Sequence, residues 1–302
     1  VGDDKEEQQL TDEEKQIGLE FLKSPDLFNQ IVKDMEVLGY VGEDLNKILL
    51  YIASSTRVLD DPISIMIISQ SAAGKSFLIE TVRKLIPPAD VVAITSLSDM
   101  ALNYSPNLMH KFLIMGEAVH NEVVEHQIRD MLSNKELSRL VTVKDEKTGK
   151  MTSEFMVTKA VVSMVMGGTN YDVNPENASR FFVVNVDESI DQTNRIHALS
   201  KNKHSLETCY LKEDVVSLII NKHHAAQKLL SPILIVNPFR DLLNFPNTTM
   251  RSRRDFVRFI DLLGGVCFLR QYQKEKKTDT RFTYVECDLT DYEITYNITV
   301  EM

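Results

Sequence analysis

Ile63-Ser64-Ile65-Met66-Ile67-Ile68-Ser69-Gln70-Ser71-Ala72-Ala73-Gly74-Lys75-Ser76 is the stretch that decides how this chain folds. An apolar run leads into a loop of small residues, and a segment with helical spacing follows from Phe77 to Ile86. Strand, small-residue loop and helix start together form the context of a phosphate-binding P-loop. Small residues let successive backbone N–H groups close around phosphates, Lys75 reaches the β- and γ-phosphates, and the Ser76 hydroxyl ligates Mg²⁺. The dipole of the following helix adds to the attraction. The pattern G-x-x-x-x-G-K-[ST] wants glycine where Ser69 stands, and serine is small enough to fit there. Ser69, Ser71, Ala72, Ala73, Gly74, Lys75, Ser76 and Phe77 are therefore the expected nucleotide-binding residues, with Mg²⁺ at Ser76.

Working outward, the chain has 302 residues and a formal net charge of -10, with a pI of about 5.3. Bulk electrostatics do not make it a binder of polyanions, so any nucleic-acid contact must be local. Asp3, Asp4, Glu6, Glu7, Asp12, Glu13 and Glu14 crowd the beginning, whereas Arg251, Arg253, Arg254, Arg258, Arg270, Lys274, Lys276 and Lys277 make 251 to 277 basic. Cys209, Cys267 and Cys287 have no C-x-x-C partner, so neither a zinc site nor a disulfide framework is signalled. They read as core thiols of a cytoplasmic protein in a reducing compartment. No apolar run spans a membrane and no signal sequence is recognisable. The polar start, and an end just past Tyr292 to Val300, read as a fragment of a longer protein.

Residues 11 to 60 predict helices. Thr11-Asp12-Glu13-Glu14 is a capping-box start, Leu19, Leu22, Leu27, Ile31, Met35 and Leu38 recur at helical spacing with a break near Ser24-Pro25, and Gly39 and Gly42 precede a helix at about 43 to 56. From 62 to 186, apolar runs alternate with helices: 63 to 68, Val91 to Ile94, Phe112 to Met115, Val161 to Met166 and Phe181 to Val186. Continuous rather than alternating runs predict strands buried on both faces of a mostly parallel, five-stranded sheet in an α/β fold. After a helix at about 120 to 133, two β-rich arms around Lys147-Thr148-Gly149-Lys150 predict an inserted hairpin over 137 to 158. Helices are expected again at about 189 to 200, 205 to 230 and 250 to 275. The expected organisation is an N-terminal helical segment (1–60), an α/β core (61–188), a helical lid (189–277) and the start of a C-terminal extension (278–302).

A P-loop does not specify the reaction. Lys111-Phe112-Leu113-Ile114-Met115-Gly116-Glu117 is a strand delivering a carboxylate at its C-terminal end, where open α/β sheets place their chemistry. Glu117 is placed to activate the attacking water, and to assist Mg²⁺ directly or through water. Gly116 stands where ATPases with a paired Asp-Glu carry aspartate, which weakens the case for hydrolysis; Asp99 is a substitute helper. Gly167-Gly168-Thr169-Asn170 ends the next strand, and Asn170, with Thr169 second, is the candidate sensor of the γ-phosphate. Arg180, just before the last strand, is the candidate arginine finger. His120, Glu122, Glu125 and His126, and likewise His223-His224, read as solvated helix faces rather than metal ligands.

This order of motifs resembles the AAA+ ATPases, most closely the minichromosome maintenance (MCM)-like helicases, and is similar to the ATPase segments of mobile-element primase-helicase proteins. The resemblance covers about 60 to 275. It rests on Gly74-Lys75-Ser76, Glu117, the hairpin, Asn170, Ser179-Arg180-Phe181 and Arg251-Ser252-Arg253-Arg254-Asp255-Phe256, in that order. It implies ATP and Mg²⁺ as cofactors, a homo-oligomer in the form of a hexameric ring, and Arg180 acting on a neighbour's nucleotide. It also implies that Arg254, or Arg253, reaches the nucleotide from the lid. Its hairpins point into a central channel, so Lys144, Lys147 and Lys150 are the expected contacts to single-stranded or forked DNA. A helicase or translocase serving replication of a mobile element or phage-like genome is the leading expectation. A nucleotide-gated loading module without efficient hydrolysis is the alternative, and a small-molecule kinase a third.

Overall fold

The computed structural model describes residues 10–70, 74–105, 107–116, 121–144, 150–168, 175–201, 205–247, 249 and 252–300. They divide into two compact units, one from the described parts of 1–55, 77–89 and 187–301, the other from 56–76 and 90–186.

The first unit begins with helices α1 (Asp12–Lys23), α2 (Leu27–Val37) and α3 (Asp44–Ser55). The capping box is formed: the Thr11 hydroxyl accepts from the Glu14 N–H at 3.2 Å, and the Thr11 N–H donates to the Glu14 carboxylate at 2.8 Å. α1 stops at Ser24, before Pro25, as expected of the residue that precedes proline. α3 is buried throughout from Lys47 to Ser55, with its polar residues partnered inside; Ser54 and Ser55 donate to the Tyr51 carbonyl.

The second unit is built on a sheet. Its strands are β1 (Ile65–Ile68), β2 (Val91–Ile94), β3 (Leu108–Met115), β4 (Glu136–Lys144), β5 (Met151–Gly168) and β6 (Phe182–Asn185). Helix α4 (Lys75–Leu85) follows the phosphate loop, with Lys75 and Ser76 in this unit and its remainder in the first; α5 (Glu122–Asn134) precedes β4, and the short α6 (Pro175–Ala178) precedes β6. The order is β2-β3-β5-β1-β6, all neighbours parallel, with β4 antiparallel to β5. This is the mostly parallel α/β sheet that the continuous apolar runs predict. β1 lies between β5 and β6, so β5 separates it from β3. Ser163 donates its hydroxyl to the Ile63 carbonyl at 2.8 Å, and Ser64 accepts from the Met164 N–H at 3.0 Å, which satisfies two hydroxyls inside the sheet. One face is packed with Leu113, Met115, Ile128, Met131, Met164 and Phe181.

The hairpin is present, in register from Glu136↔Lys159 to Lys144↔Met151. Its second arm and the core strand, read separately from the sequence, are one strand: β5 is exposed from Met151 to Val157 and buried from Ala160 to Gly168. No turn residue separates Thr158 from Val161, so nothing interrupts the extended backbone.

Beyond the sheet the chain returns to the first unit with α7 (Ile190–Lys201), α8 (Leu206–Leu229), β7 (Leu234–Val236), α9 (Ser252–Leu269), β8 (Lys277–Thr278), β9 (Thr283–Glu286) and α10 (Leu289–Val300). A small sheet, β7-β9-β8, which the sequence did not predict, lies between the expected helices and in the C-terminal extension; strands of two to four residues carry too little periodicity to read. His223 corrects a second expectation. It is fully buried on α8, with Nε2 2.9 Å from the Asp34 carboxylate and Nδ1 2.8 Å from the Tyr51 hydroxyl. The neutral ring that suits both bonds donates from Nε2 to Asp34 and accepts the Tyr51 proton at Nδ1. Among the described residues no helix is long and apolar enough to cross a membrane.

Candidate functional site

The candidate site lies at the carboxyl ends of β1, β3 and β5, where the chain leaves three adjacent parallel strands. Ser69 follows β1 and is buried. Its N–H donates to the Gly168 carbonyl at 3.2 Å, and its hydroxyl turns back onto the Gln70 carbonyl at 3.1 Å. The extra oxygen that serine brings to a glycine position is thereby satisfied by the loop itself. Ser71, Ala72 and Ala73 lie outside the described residues. Gly74 has φ of +96°, a left-handed conformation in which a side chain is strained, so its lack of a Cβ is required by the backbone.

Lys75 opens α4, and its ammonium donates to the Ser69 carbonyl at 2.7 Å and the Gly168 carbonyl at 3.0 Å. The cation thus rests on the last backbone groups of two neighbouring strands. Ser76 and Phe77, next along the helix, are exposed. The Gly167 backbone closes the arrangement from the other side: a Cβ there would stand 2.7 Å from the Gly116 carbonyl oxygen and 3.9 Å from Lys75 Cε. Gly116, Gly167 and Lys75 therefore converge on one point, and glycine at 167 permits the close approach of β3 and β5. Gly116 itself has open space where its Cβ would be, among the described residues.

Glu117, Thr169 and Asn170 fall outside the described residues; Gly116 and Gly168, from which the first and the last pair continue, are at this convergence. Asp99 accepts from the Asn121 side-chain amide at 2.7 Å, and Asn121 caps α5 through the N–H groups of Val123 and Val124. Asp99 is thus a partner of the α5 cap. Arg180 lies after α6, its Nε donating to the Ser133 hydroxyl and a terminal nitrogen to the Glu176 carbonyl, both at 2.8 Å. These bonds hold the guanidinium at the C-terminal end of α5. Ser133 was not singled out from the sequence, since a serine late in a helix carries no signal.

On β5 the hairpin arm is exposed on both faces from Met151 to Val157, whereas on β4 Ser138, Leu140 and 142–144 are exposed and Arg139 and Val141 are half-buried. Lys144 and Lys150 flank the tip and are exposed; Lys147 lies outside the described residues. Leu140 and Phe155, paired across the arms, are each 69% exposed, and Met151 on the same face is 66% exposed. Phe155 is an exposed aromatic partway down the arm. On the opposite face Arg139 stacks 3.9 Å from the Tyr104 ring.

Arg253 and Arg254 belong to the other unit, exposed in the first turn of α9; Arg251 lies outside the described residues. In that same unit the Gly39–Glu43 segment, read only as a break between helices, packs against Phe77. The Tyr40 and Phe77 rings lie 5.8 Å apart, and Gln192 donates to the Val41 carbonyl at 2.7 Å. The Tyr40 hydroxyl donates to Glu43 at 2.7 Å; burial first, and the neighbouring Glu43 charge second, push the phenol far above its ordinary range.

A family model described as the MTBMA_p00010 P-loop domain matches residues 11–223 of this chain. No curated protein matches it.

Proposed function

The chain belongs to the MTBMA_p00010 P-loop domain family, and from that premise we propose that it is an ATP-dependent, ring-forming motor that moves on single-stranded or forked DNA. P-loop domains bind a nucleotide with Mg²⁺, and the loop, glycine and lysine described above suit that chemistry. In the proposed cycle Lys75 leaves the Ser69 and Gly168 carbonyls for the β- and γ-phosphates, and Ser76 ligates Mg²⁺. Glu117 activates water, Asn170 senses the γ-phosphate, and Arg180 stabilises charge on a neighbouring subunit's nucleotide. Arg254, with Arg253 beside it, serves the nucleotide from the lid. The observation that carries the motor reading is the hairpin, an exposed two-stranded arm growing from the same sheet that holds Lys75, with lysines at its end. Lys144, Lys147 and Lys150 are its proposed phosphate contacts.

The test is steady-state ATP hydrolysis across protein concentration, with and without single-stranded DNA, for this chain, Glu117→Gln and Arg180→Ala. Turnover that DNA stimulates, that rises with protein concentration and that both variants lose supports the motor. A second reading, a nucleotide-gated loading module, is favoured by Gly116, which supplies no carboxylate beside Glu117. ATP binding without turnover in every condition would replace the motor with that switch.

A further inference from the structure

Three cysteines distant in sequence gave no reason to expect a pair, yet the fold brings two of them together. Cys267 lies in the last turn of α9 and Cys287 just after β9, where its N–H donates to the Val236 carbonyl at 2.9 Å. Both are buried, and both pack in one cluster with Leu263 and Val285. Their sulfurs and a carboxylate oxygen of Asp291 all lie within 4.8 Å of one another.

The surroundings decide what such a group can do. Asp291 is fully buried, and its oxygens are already committed to Arg270, to Lys274 at 2.7 Å and to the Asp288 N–H at 2.9 Å. A metal would have to displace one of these cations to gain a third ligand. Two thiols alone are two ligands short of a structural tetrahedral zinc site. What remains is a pair of sulfurs within 4.8 Å of each other, next to the charges of Arg270 and Lys274.

We propose that Cys267 and Cys287 are a paired-thiol oxidation site, closed by hydrogen peroxide into a disulfide that joins the end of α9 to the start of α10. Cys267 donates its S–H toward Cys287; that bond, and burial after it, hold the Cys267 thiol well above the ordinary cysteine range. Cys287, the acceptor, is therefore the attacking sulfur. It takes one oxygen from peroxide as the O–O bond breaks, giving a sulfenic acid and a hydroxide that is protonated to water. Cys267 then loses its proton and attacks that sulfur, the S–O bond breaks, and the departing hydroxide takes the proton as a second water. Two thiols and one peroxide become one disulfide and two waters. Peroxide is close to water in size, so a small local opening admits it. The closed ring encloses residues 268–286, with β8 and β9 inside, and restricts the unfolded chain.

The experiment uses the full chain carrying Cys209→Ser, so that the pair holds the only two sulfhydryls. After peroxide treatment, intact mass should fall by about 2 Da with loss of both free thiols, as a disulfide requires. The urea midpoint should rise, and dithiothreitol should reverse both changes. In the same background, Cys267→Ser should show no such loss and should instead gain oxygen at Cys287. Three results would overturn the proposal: oxygen added to one sulfur while the other stays free, one equivalent of zinc retained through dialysis, or two unreacted thiols under peroxide that oxidises the same chain in urea.

Discussion

Replacing Gly167 with alanine tests the convergence of strand ends at Lys75. The new methyl would meet the Gly116 carbonyl oxygen at 2.7 Å, and since close Cβ contacts begin to be ordinary at 3.4 Å, β3 and β5 must part by about 0.7 Å. The obstacle is the Gly116 backbone, held by the parallel ladder that pairs Met115 with Met166, so no side chain can swing aside to relieve it. Overpacking of this kind costs roughly 1–3 kcal/mol, which should appear as a lower midpoint of urea unfolding by circular dichroism. The chemical effect should be larger in proportion. Gly116 leads directly into Glu117, the proposed activator of water, and displacing a catalytic group by about 1 Å costs on the order of 100-fold in rate. Turnover by Gly167→Ala should therefore fall about tenfold or more, while a fluorescent ATP analogue still binds through the intact loop. Gly116→Ala is the control, because its Cβ meets nothing within 4 Å among the described residues, and surface-like changes stay within about 0.5 kcal/mol. Equal stability and equal turnover for the two alanine variants would refute the argument that 167 must be glycine because the strands approach there.

Gly116→Asp places a carboxylate in that open space beside Glu117 and should raise Mg²⁺-dependent turnover several-fold; unchanged or lower turnover would count against the absence of a paired carboxylate as what limits hydrolysis. Mixing Arg180→Ala with Lys75→Ala subunits should restore part of the activity each lacks alone, since one keeps the intact loop and the other the intact arginine; no restoration at any ratio speaks for action within one chain. Burial holds the His223 imidazole below its ordinary pKa, against the pull of Asp34, so below about pH 6.5 the unfolded chain binds a proton that the folded chain does not. Stability should then drop on acidification by up to about 1.4 kcal/mol per pH unit, with a shallower slope in His223→Gln; identical slopes across pH 5.5–7.5 would remove His223 as the cause. Asp34 adds a further loss at lower pH: burial raises its pKa, but bonds from His223 and Lys222 bring it below the ordinary value, so its contribution fades only as pH falls through that lowered pKa.

What was legible in the sequence followed from strong local periodicity. Val91 to Ile94 became β2 without adjustment, and the run 63 to 68 contains β1, which is shorter by two residues; unbroken apolar stretches mark both, although only β1 is largely buried and β2, at the sheet edge, is half-buried to exposed. Thr11 and Glu14 named the start of α1 because a capping box is a local arrangement. What escaped depends on distance along the chain. The Gly168 carbonyl beneath Lys75 lies 93 residues away, and the bond is made by backbone oxygen, which no residue type announces. Gly167 reads in the sequence only as a strand end, and only the neighbouring strand shows why a methyl does not fit. His223 meets Asp34 across 189 residues, so its burial could not be read from the polar stretch around it. The Cys267 and Cys287 pair is of the same kind, joined through a sheet too short to leave a pattern.

β5 runs for 18 residues as a single extended strand. At about 3.3 Å per residue it is roughly 60 Å long, and an extended backbone cannot be stretched much further along its axis. One end takes part in the resting place of the Lys75 ammonium; the other is an arm of the hairpin. In the proposed cycle it serves as a pushrod. A pull at Gly168 when the lysine leaves its carbonyl cannot be absorbed by a loop between core and hairpin, because no loop is there. Inserting two flexible residues between Thr158 and Lys159 would put slack into that rod while leaving both of its ends chemically unchanged.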